Sequence, residues 1–525
     1  MSKNILFIMC DQLRADYLSC YGHPFLKTPN IDKIAEMGVM FSHAYCQAPL
    51  CGPSRASFYT GRYLASHGAL ANADPLKLGE LSLGDYLHDL KYRTVLVGKS
   101  EVRINKDALE GIQINQQTEK GRNLVQGGFE FFDRLEGIYT DQILPDNVDY
   151  NNYLLSMGYE GKNPWENWAN SAFDEYGKKV SGWHMQNANL PAAVLEEHSE
   201  TAYTTNRALE FLSAVDKEDQ WCLHLSYIKP HWPYLAPSPY HSLFTDEHIL
   251  PVVRDSVEMK NTHPVLKAFQ DELYSHNFSQ NGVRDRVIPA YMGLIKQIDD
   301  HLGRVFDKLR SMELMDSTLI IFTSDHGDYL GDHWLGEKDL FHEPSVRIPL
   351  IVYDPDKNAK ESRGSLNEEF VEAVDILPTI VEFAGGEVCR QRVEGNSLLS
   401  FTRGIDRTEN PREYTISQID YSDRGPRVSL NLHPYDCRAH MIRNYEWKYI
   451  IHEKFRPQLY DLKNDPEELL DLGDSPEHES VRNEMHEKLF SWFRNRLIRT
   501  EMDYDSLFEM GVERDEKMGI LIGHW

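Results

Sequence analysis

TLIIFTSDH, residues 318–326, sets four large apolar residues between threonines and then stops at an acid and a histidine. A continuous apolar run without polar alternation reads as a strand buried on both faces, which belongs in a parallel sheet covered by helices. Open sheets of that kind bind ligands beyond the carboxyl ends of their strands, where Asp325 and His326 fall. The same grammar recurs at residues 5–9, 94–97, 222–228 and 349–353. Asp11 and Gln12 follow the first of these runs, Lys99 and Glu101 in GKSE follow the second, and His231 in KPHWPY follows the third. Between the runs lie helical patterns, the clearest over residues 290–309, where Tyr291, Leu294, Ile298, Leu302, Val305 and Leu309 form one apolar face. The expected fold is α/β, a large, mostly parallel mixed sheet between helices.

The strand-end residues define a chemistry. Asp11-Gln12 and Asp325-His326 make an oxygen and nitrogen set suited to a hard or borderline divalent cation such as Ca²⁺, Mn²⁺ or Mg²⁺. Taken singly, each aspartate serves equally well as a cap on the following helix. A lone His231 is more often a hydrogen-bonded structural residue, and Lys99 and Lys338 are by default solvated surface lysines. Agreement among four strand ends outweighs those separate readings.

Composition narrows the partners. A formal charge of -27 repels nucleic acid and anionic membranes, and no basic patch offsets it. The apolar run at residues 5–10 is too short for a signal-peptide core and runs into Asp11, so a cytoplasmic protein is expected. No segment approaches the roughly 20 apolar residues of a membrane helix. The 7 cysteines are scattered without CxxC spacing, which fits a reducing compartment. From about residue 411 the segments EYTISQ, RAHMIRNYEWKYIIHE and QLYDLKNDPEELLDL read as a small antiparallel sheet, followed by an amphipathic helix over 479–499. The expected division is therefore 1–410, 411–499 and a tail 500–525 whose apolar end MGILIGHW is expected to dock on a second subunit of a homo-oligomer, dimer or tetramer. Residues 101–200, rich in Tyr, Trp, Asn and Gly, fit regular elements poorly and read as loops over a site.

QAPLCGPSRASFYTG, residues 47–61, puts Cys51 at a helix entrance with Arg55 one turn on. A chance C-x-P-x-R is expected in about two chains per hundred of this type. Extended to LCGPSRASFYTGR, the motif resembles the hallmark of the sulfatase family within the alkaline-phosphatase superfamily. NILFIMCDQLRADYLSCYG, KTPNIDKIAEMGVMFSHAYCQAP, SDHGDYLGDHWLGEK and QLYDLKNDPEELLDL carry the same resemblance, which spans residues 4 to about 475.

The resemblance implies an alkaline-phosphatase-like fold and a formylglycine (3-oxoalanine) made from Cys51 by a formylglycine-generating enzyme. Its hydrate would be a geminal diol, one oxygen attacking the sulfur or phosphorus of a small anionic ester and the other expelling the product by regenerating the aldehyde. It further implies that Asp11, Gln12, Asp325, His326 and residue 51 hold one divalent metal, Ca or Mn preferred. Lys99 and Lys338 would neutralise the transferring group, Asn72 donate to its oxygens, His231 protonate the leaving oxygen and Arg55 brace the diol. A helix beginning near Pro53 would aim its positive end at the anion.

Many sulfatases carry Lys-x-His where this chain has Lys99-Ser100-Glu101. Glu101 would take over as base, pair with Lys99 or point away. The Asp-Gln plus Asp-His pattern, IKPHWPYLAPSPYH and the tail most resemble the branch of phosphonate monoester hydrolases and their arylsulfatase relatives. The expected activity is sulfate monoester hydrolysis, with phosphonate monoester or phosphodiester hydrolysis as the alternative. A silent binding protein would have a broken site, and a two-metal phosphatase would need a second Asp/His cluster, for which the sequence offers no clear candidate.

Overall fold

The computed structural model describes residues 3–497 apart from positions 73, 117, 138 and 406–410, together with residues 500–502, 506–507 and 517–519. In chain order its strands are β1 (Asn4–Asp11), β2 (Val39–Tyr45), β3 (Arg93–Gly98), β4 (Glu130–Arg134), β5 (Ser171–Phe173), β6 (Lys179–Ser181), β7 (Trp221–Pro230), β8 (Thr318–Ser324), β9 (Leu350–Tyr353), β10 (Ser365–Glu372), β11 (Thr415–Asp420), β12 (Arg438–Arg443), β13 (Trp447–His452) and β14 (Gln458–Asp461).

Eight of them form one sheet in the order β10-β2-β9-β8-β1-β7-β3-β4. Only β9 runs antiparallel to its neighbours β2 and β8, so the expected mostly parallel mixed sheet is what the chain forms. Each side chain of β1, β7 and β8 is buried, as their unbroken apolar runs require. Successive residues turn to opposite faces: Ile5, Phe7 and Met9 enter one apolar core and Leu6, Ile8 and Cys10 the other. A fully buried side chain of this size contributes about 1.5–3 kcal/mol, so both faces must be covered. The helix Asn281–Ser311 supplies much of that cover on one face, through Tyr291, Ile295, Ile298, Leu302 and Val305. It extends beyond the expected 290–309 because Pro289, which lacks an N–H, is tolerated inside it.

Register places the site. Cys10 lies opposite Ser324 of β8, Gly98 of β3 opposite Ser226 of β7, and Asp11 opposite Pro230 after an irregularity in the β1–β7 pairing. The carboxyl ends of four neighbouring strands therefore open at one edge.

Residues 101–200 are more regular than expected. They hold β4, which joins the main sheet beside β3, and the β5–β6 hairpin over a separate apolar cluster that includes Leu135, Tyr150, Leu154 and Trp165. Aromatics spaced without a period build that cluster, which hides its elements from pattern reading.

Strands β11 to β14 form the expected small antiparallel sheet. The helix Glu479–Arg494 packs Met485, Leu489 and Trp492 against Ile416, Ile442 and Leu459, and ends before the expected 499. Most of the tail 500–525 lies outside the described residues; where described, Thr500 O accepts from Arg392 Nε at 3.0 Å. Among the described residues no helix is long and apolar enough to cross a membrane.

Candidate active site

Cys51 opens the helix Cys51–Thr60, all of whose residues are buried. Leu50, in extended conformation, precedes it without a side-chain cap, so the first backbone N–H groups take their partners from elsewhere. The Gly52 N–H is taken by Asn72 Oδ1 at 2.9 Å, which leaves the Asn72 amide N–H groups as donors. The Cys51 thiol faces His326 Nε2 at 3.2 Å, Lys338 Nζ at 3.4 Å and Asp11 Oδ1 at 3.6 Å. Burial, with Asp11 next in weight, pushes that thiol well up from its ordinary value. It stays protonated at neutral pH and is a poor nucleophile as it stands.

Two carboxylates organise the cluster. Asp325 Oδ1 accepts the backbone N–H groups of Gln12 at 3.0 Å and His326 at 2.9 Å, and its Oδ2 accepts Arg55 Nε at 2.9 Å. Asp11 Oδ2 accepts Lys99 Nζ at 2.5 Å and lies 3.5 Å from the Arg55 guanidinium. Burial alone would raise the Asp11 carboxyl, but the charges of Lys99, Arg55 and Lys338 hold it well below the usual range. Arg55 also donates to Lys99 O at 2.8 Å and Ser226 Oγ at 2.9 Å, so its bonds run to the carboxylates and strand ends around residue 51.

Lys338 Nζ reaches Gln12 Oε1 at 2.9 Å and His231 Nε2 at 3.0 Å. His231 Nδ1 donates to Trp232 O at 2.7 Å, so Nε2 accepts from the lysine and the ring is neutral. Burial first, then Lys338, pulls His231 well below its ordinary value. Glu101, held at φ 53°, turns back onto Lys99 Nζ at 2.8 Å and keeps 18% of its side chain exposed. Of the three expectations for Glu101, pairing with Lys99 is the geometry observed.

The donor set fits a divalent ion. Asp11, Cys51, Asp325 and His326 each offer one ligand atom, all within 4.8 Å of one another. His326 Nδ1 donates to Gly327 O at 2.9 Å, which fixes the proton there and turns the Nε2 lone pair inward. Gln12 commits its amide nitrogen to Asp328 Oδ2 at 2.6 Å, so its carbonyl oxygen is the atom presented beside Lys338. Two carboxylates and one imidazole make a set able to hold a divalent cation, while Lys99, Lys338 and Arg55 add positive charge for an anionic substrate.

All eleven residues singled out in the sequence gather in this one cluster or touch it. Sequence reasoning missed the residues that aim them: Asp328 and Tyr234 behind Gln12, Ser226 behind Arg55, and Ser54, whose hydroxyl donates to Asp325 O at 2.6 Å. Asp328 had a signal, falling three residues after Asp325 in SDHGD.

The segment carrying Lys338 is fastened from the small sheet. Lys448 of β13, fully buried, donates to Phe341 O at 2.8 Å and lies 3.0 Å from Glu343 and 2.5 Å from Glu468. Glu468 Oε2 accepts the Glu343 N–H at 2.7 Å, and Arg424 pairs with Asp339 at 3.0 Å. The QLYDLKNDPEELLDL segment thus ends in contacts to the catalytic cluster's own loop.

A largely parallel sheet whose strand ends gather carboxylates, an imidazole and lysines around the first residue of a buried helix has its site where open α/β sheets bind ligands, with the charges to hold an anionic one. The chain belongs to the sulfatase family, hydrolases of sulfate esters: that family's sequence profile matches residues 3–386, and the profile N-sulphoglucosamine sulphohydrolase, C-terminal, matches residues 331–495. It is 32% identical over 526 residues to a multifunctional alkaline phosphatase superfamily protein of Trinickia caryophylli, covering 96% of this chain and 98% of that one. An arylsulfatase of Clostridium perfringens is 28% identical, covering 91% of this chain and 92% of its own. Among solved structures, phosphonate monoester hydrolase of Agrobacterium radiobacter superposes with a TM-score of 0.81 at 26% identity, covering 95% of this chain and 97% of that one.

Proposed function

We propose that the chain hydrolyses sulfate monoesters, aryl or alkyl, with a formylglycine made from Cys51 and one divalent metal held by Asp11, Gln12, Asp325, His326 and residue 51. The observation that carries this reading is the setting of Cys51: a protonated, buried thiol at a helix N-terminus, within 3.2 Å of an imidazole lone pair and 3.4 Å of a lysine. Burial keeps this thiol protonated, which fits a precursor better than a nucleophile in its own right. When present, the metal supplies Lewis-acid polarisation of the ester, and the aldehyde hydrate supplies an oxygen nucleophile.

The side chains of this chain do the rest. Lys99 and Lys338 bring positive charge to the transferring group, and Asn72, its carbonyl occupied by Gly52, donates through its amide nitrogen. Arg55 offsets the two aspartates and holds the mouth of β3 through Lys99 O. His231 Nε2 is already bonded to Lys338, so the proton for the leaving oxygen comes from this lysine and histidine pair. Glu101 holds Lys99 in place. Conversion of Cys51 requires a formylglycine-generating enzyme as partner, and assembly as a homo-oligomer completes the proposal.

A second reading, phosphonate monoester or phosphodiester hydrolysis by the same residues, is favoured by the likeness to the Agrobacterium enzyme along nearly the whole chain. All three ester classes carry a single negative charge, which the same cations accommodate. The experiment is kcat/KM for an aryl sulfate and a matched aryl phosphonate monoester on one preparation of measured Cys51 conversion. A higher value for the sulfate is expected; a higher value for the phosphonate reverses the order, and no turnover of either by converted, metal-loaded protein overturns both readings.

A further inference from the structure

Beside the catalytic cluster lies a cavity of about 470 Å³ that the reaction as derived does not use. Its wall carries Arg103, Lys106 and Arg134, with Tyr139 and Phe131 supplying ring surface, while Asp149 is the one carboxylate among the residues that line it. Asp149 opens the helix Asp149–Ser156, whose N-terminus offsets part of its charge. With Arg134 paired to Glu136, Arg103 and Lys106 face one acid, a local reversal in a chain of net charge -27. Among the described residues neither Arg103 nor Lys106 forms an ion pair.

Val102, next to Glu101, lines the cavity, and a series of bonds ties its wall to the reaction centre. Arg134 Nε donates to Glu136 Oε1 at 2.8 Å; Glu136 accepts the Ser100 hydroxyl at 2.9 Å and the Glu101 N–H at 2.9 Å; Glu101 pairs with Lys99 at 2.8 Å, and Lys99 with Asp11 at 2.5 Å. Tyr139 stands within electrostatic reach of Glu136, Arg134, Arg103 and Glu101 together. Glu101, partly exposed where its neighbours in the cluster are buried, marks the side on which solvent comes nearest to Lys99. An ester lying along Lys99 would extend its leaving group past Glu101 toward these cations.

We propose that this cavity is a subsite for a second anionic group, a carboxylate or a further sulfate, on the leaving-group portion of the substrate, so that the preferred esters are dianionic overall. This rests on the sulfatase reading above. Arg103 and Lys106 contribute charge and hydrogen bonds to that group, the Tyr139 and Phe131 rings pack its organic stem, and the patch draws an anion toward a chain whose overall field repels it.

The test uses aryl sulfates bearing a carboxylate, 3-(carboxymethyl)phenyl sulfate and 4-(3-carboxypropyl)phenyl sulfate, each beside its neutral methyl ester. Wild type is expected to favour at least one acid over its ester by about five- to tenfold in kcat/KM, a ratio that shrinks as salt rises. The double variant Arg103→Ala/Lys106→Ala, at exposed positions, is expected to bring that ratio to about one with the methyl esters turned over as before. A wild-type ratio at or below one for both pairs, a ratio the double variant leaves intact, or an equal loss on acid and ester overturns the subsite. Calorimetric binding of the phenol carboxylate product to both proteins reads the subsite without turnover: weaker binding to the variant supports it and equal binding overturns it. Failure of all four sulfates to react would sink the sulfatase reading while leaving this binding measurement to judge the cavity.

Discussion

Asp328 Oδ2 accepts the Gln12 amide nitrogen at 2.6 Å and the Tyr234 hydroxyl at 2.6 Å, and so decides which end of the Gln12 amide faces Lys338 and the proposed metal position. Asp328→Asn sets an amide against two donors, and Gln12 relieves the conflict by rotating its own nitrogen inward. Metal affinity is expected to fall about 10- to 100-fold, read by titrating Mn²⁺ into the stripped protein. An unchanged affinity would remove Gln12 from the ligand set.

Cys51→Ala is expected to abolish ester hydrolysis while leaving the fold intact, because a smaller side chain replaces a buried thiol that bonds only within the cluster. In the active wild-type protein, mass spectrometry of the peptide spanning residue 51 is expected to show a loss of about 18 Da. Full activity in protein whose peptide carries an unaltered cysteine would refute the proposed nucleophile.

The lysine and histidine pair separates two kinds of stabilisation. Lys338→Met is expected to lower kcat/KM about 10²- to 10³-fold on any substrate, since it removes a preorganised donor. His231→Gln should cost about 10²-fold on alkyl sulfates, whose leaving oxygens need a proton, and little on 4-nitrophenyl sulfate. A linear free-energy plot against leaving-group pKa is the measurement, and a slope no steeper in the histidine variant argues against proton delivery from this pair.

The centre of the sheet makes the protein sensitive to acid. His224 of β7 stacks on Phe7 at 4.3 Å, donates from Nδ1 to Phe7 O at 3.1 Å and accepts the Tyr59 hydroxyl at 2.7 Å. Burial brings its pKa down to about 3 from the usual 6.5. The unfolded chain takes up a proton below 6.5 and the folded chain does not until near 3. The stability it contributes is therefore complete above pH 6.5 and is lost as pH falls toward 3, at about 1.4 kcal/mol per pH unit. His67 and His452, also brought by burial to about 3, add to the same slope. His224→Gln is expected to be less stable at neutral pH but to lose less further stability between pH 6.5 and 4 in urea titrations.

What could be read from the residues follows from distance along the chain. β1, β7 and β8 announce themselves because a strand covered on both faces must be apolar throughout. β10 escapes because its first five positions, SLNEE, are exposed or half-buried at the sheet edge, where composition is unconstrained. Asp11, Gln12, Asp325 and His326 were legible because they stand directly after readable strands, and Cys51 through its motif. The part played by Tyr234 and Asp328 was not, because they orient Gln12, 222 and 316 positions away, and only the folded register brings them together.

Lys448 buries its charge between Glu343 and Glu468 to hold Phe341, three residues past Lys338. Competence to cleave an ester is thereby expected to depend on a residue 130 positions beyond Lys338 in the chain. No trimmed catalytic fragment ending before Glu468 is expected to work, because the loop that carries Lys338 would lose its anchor.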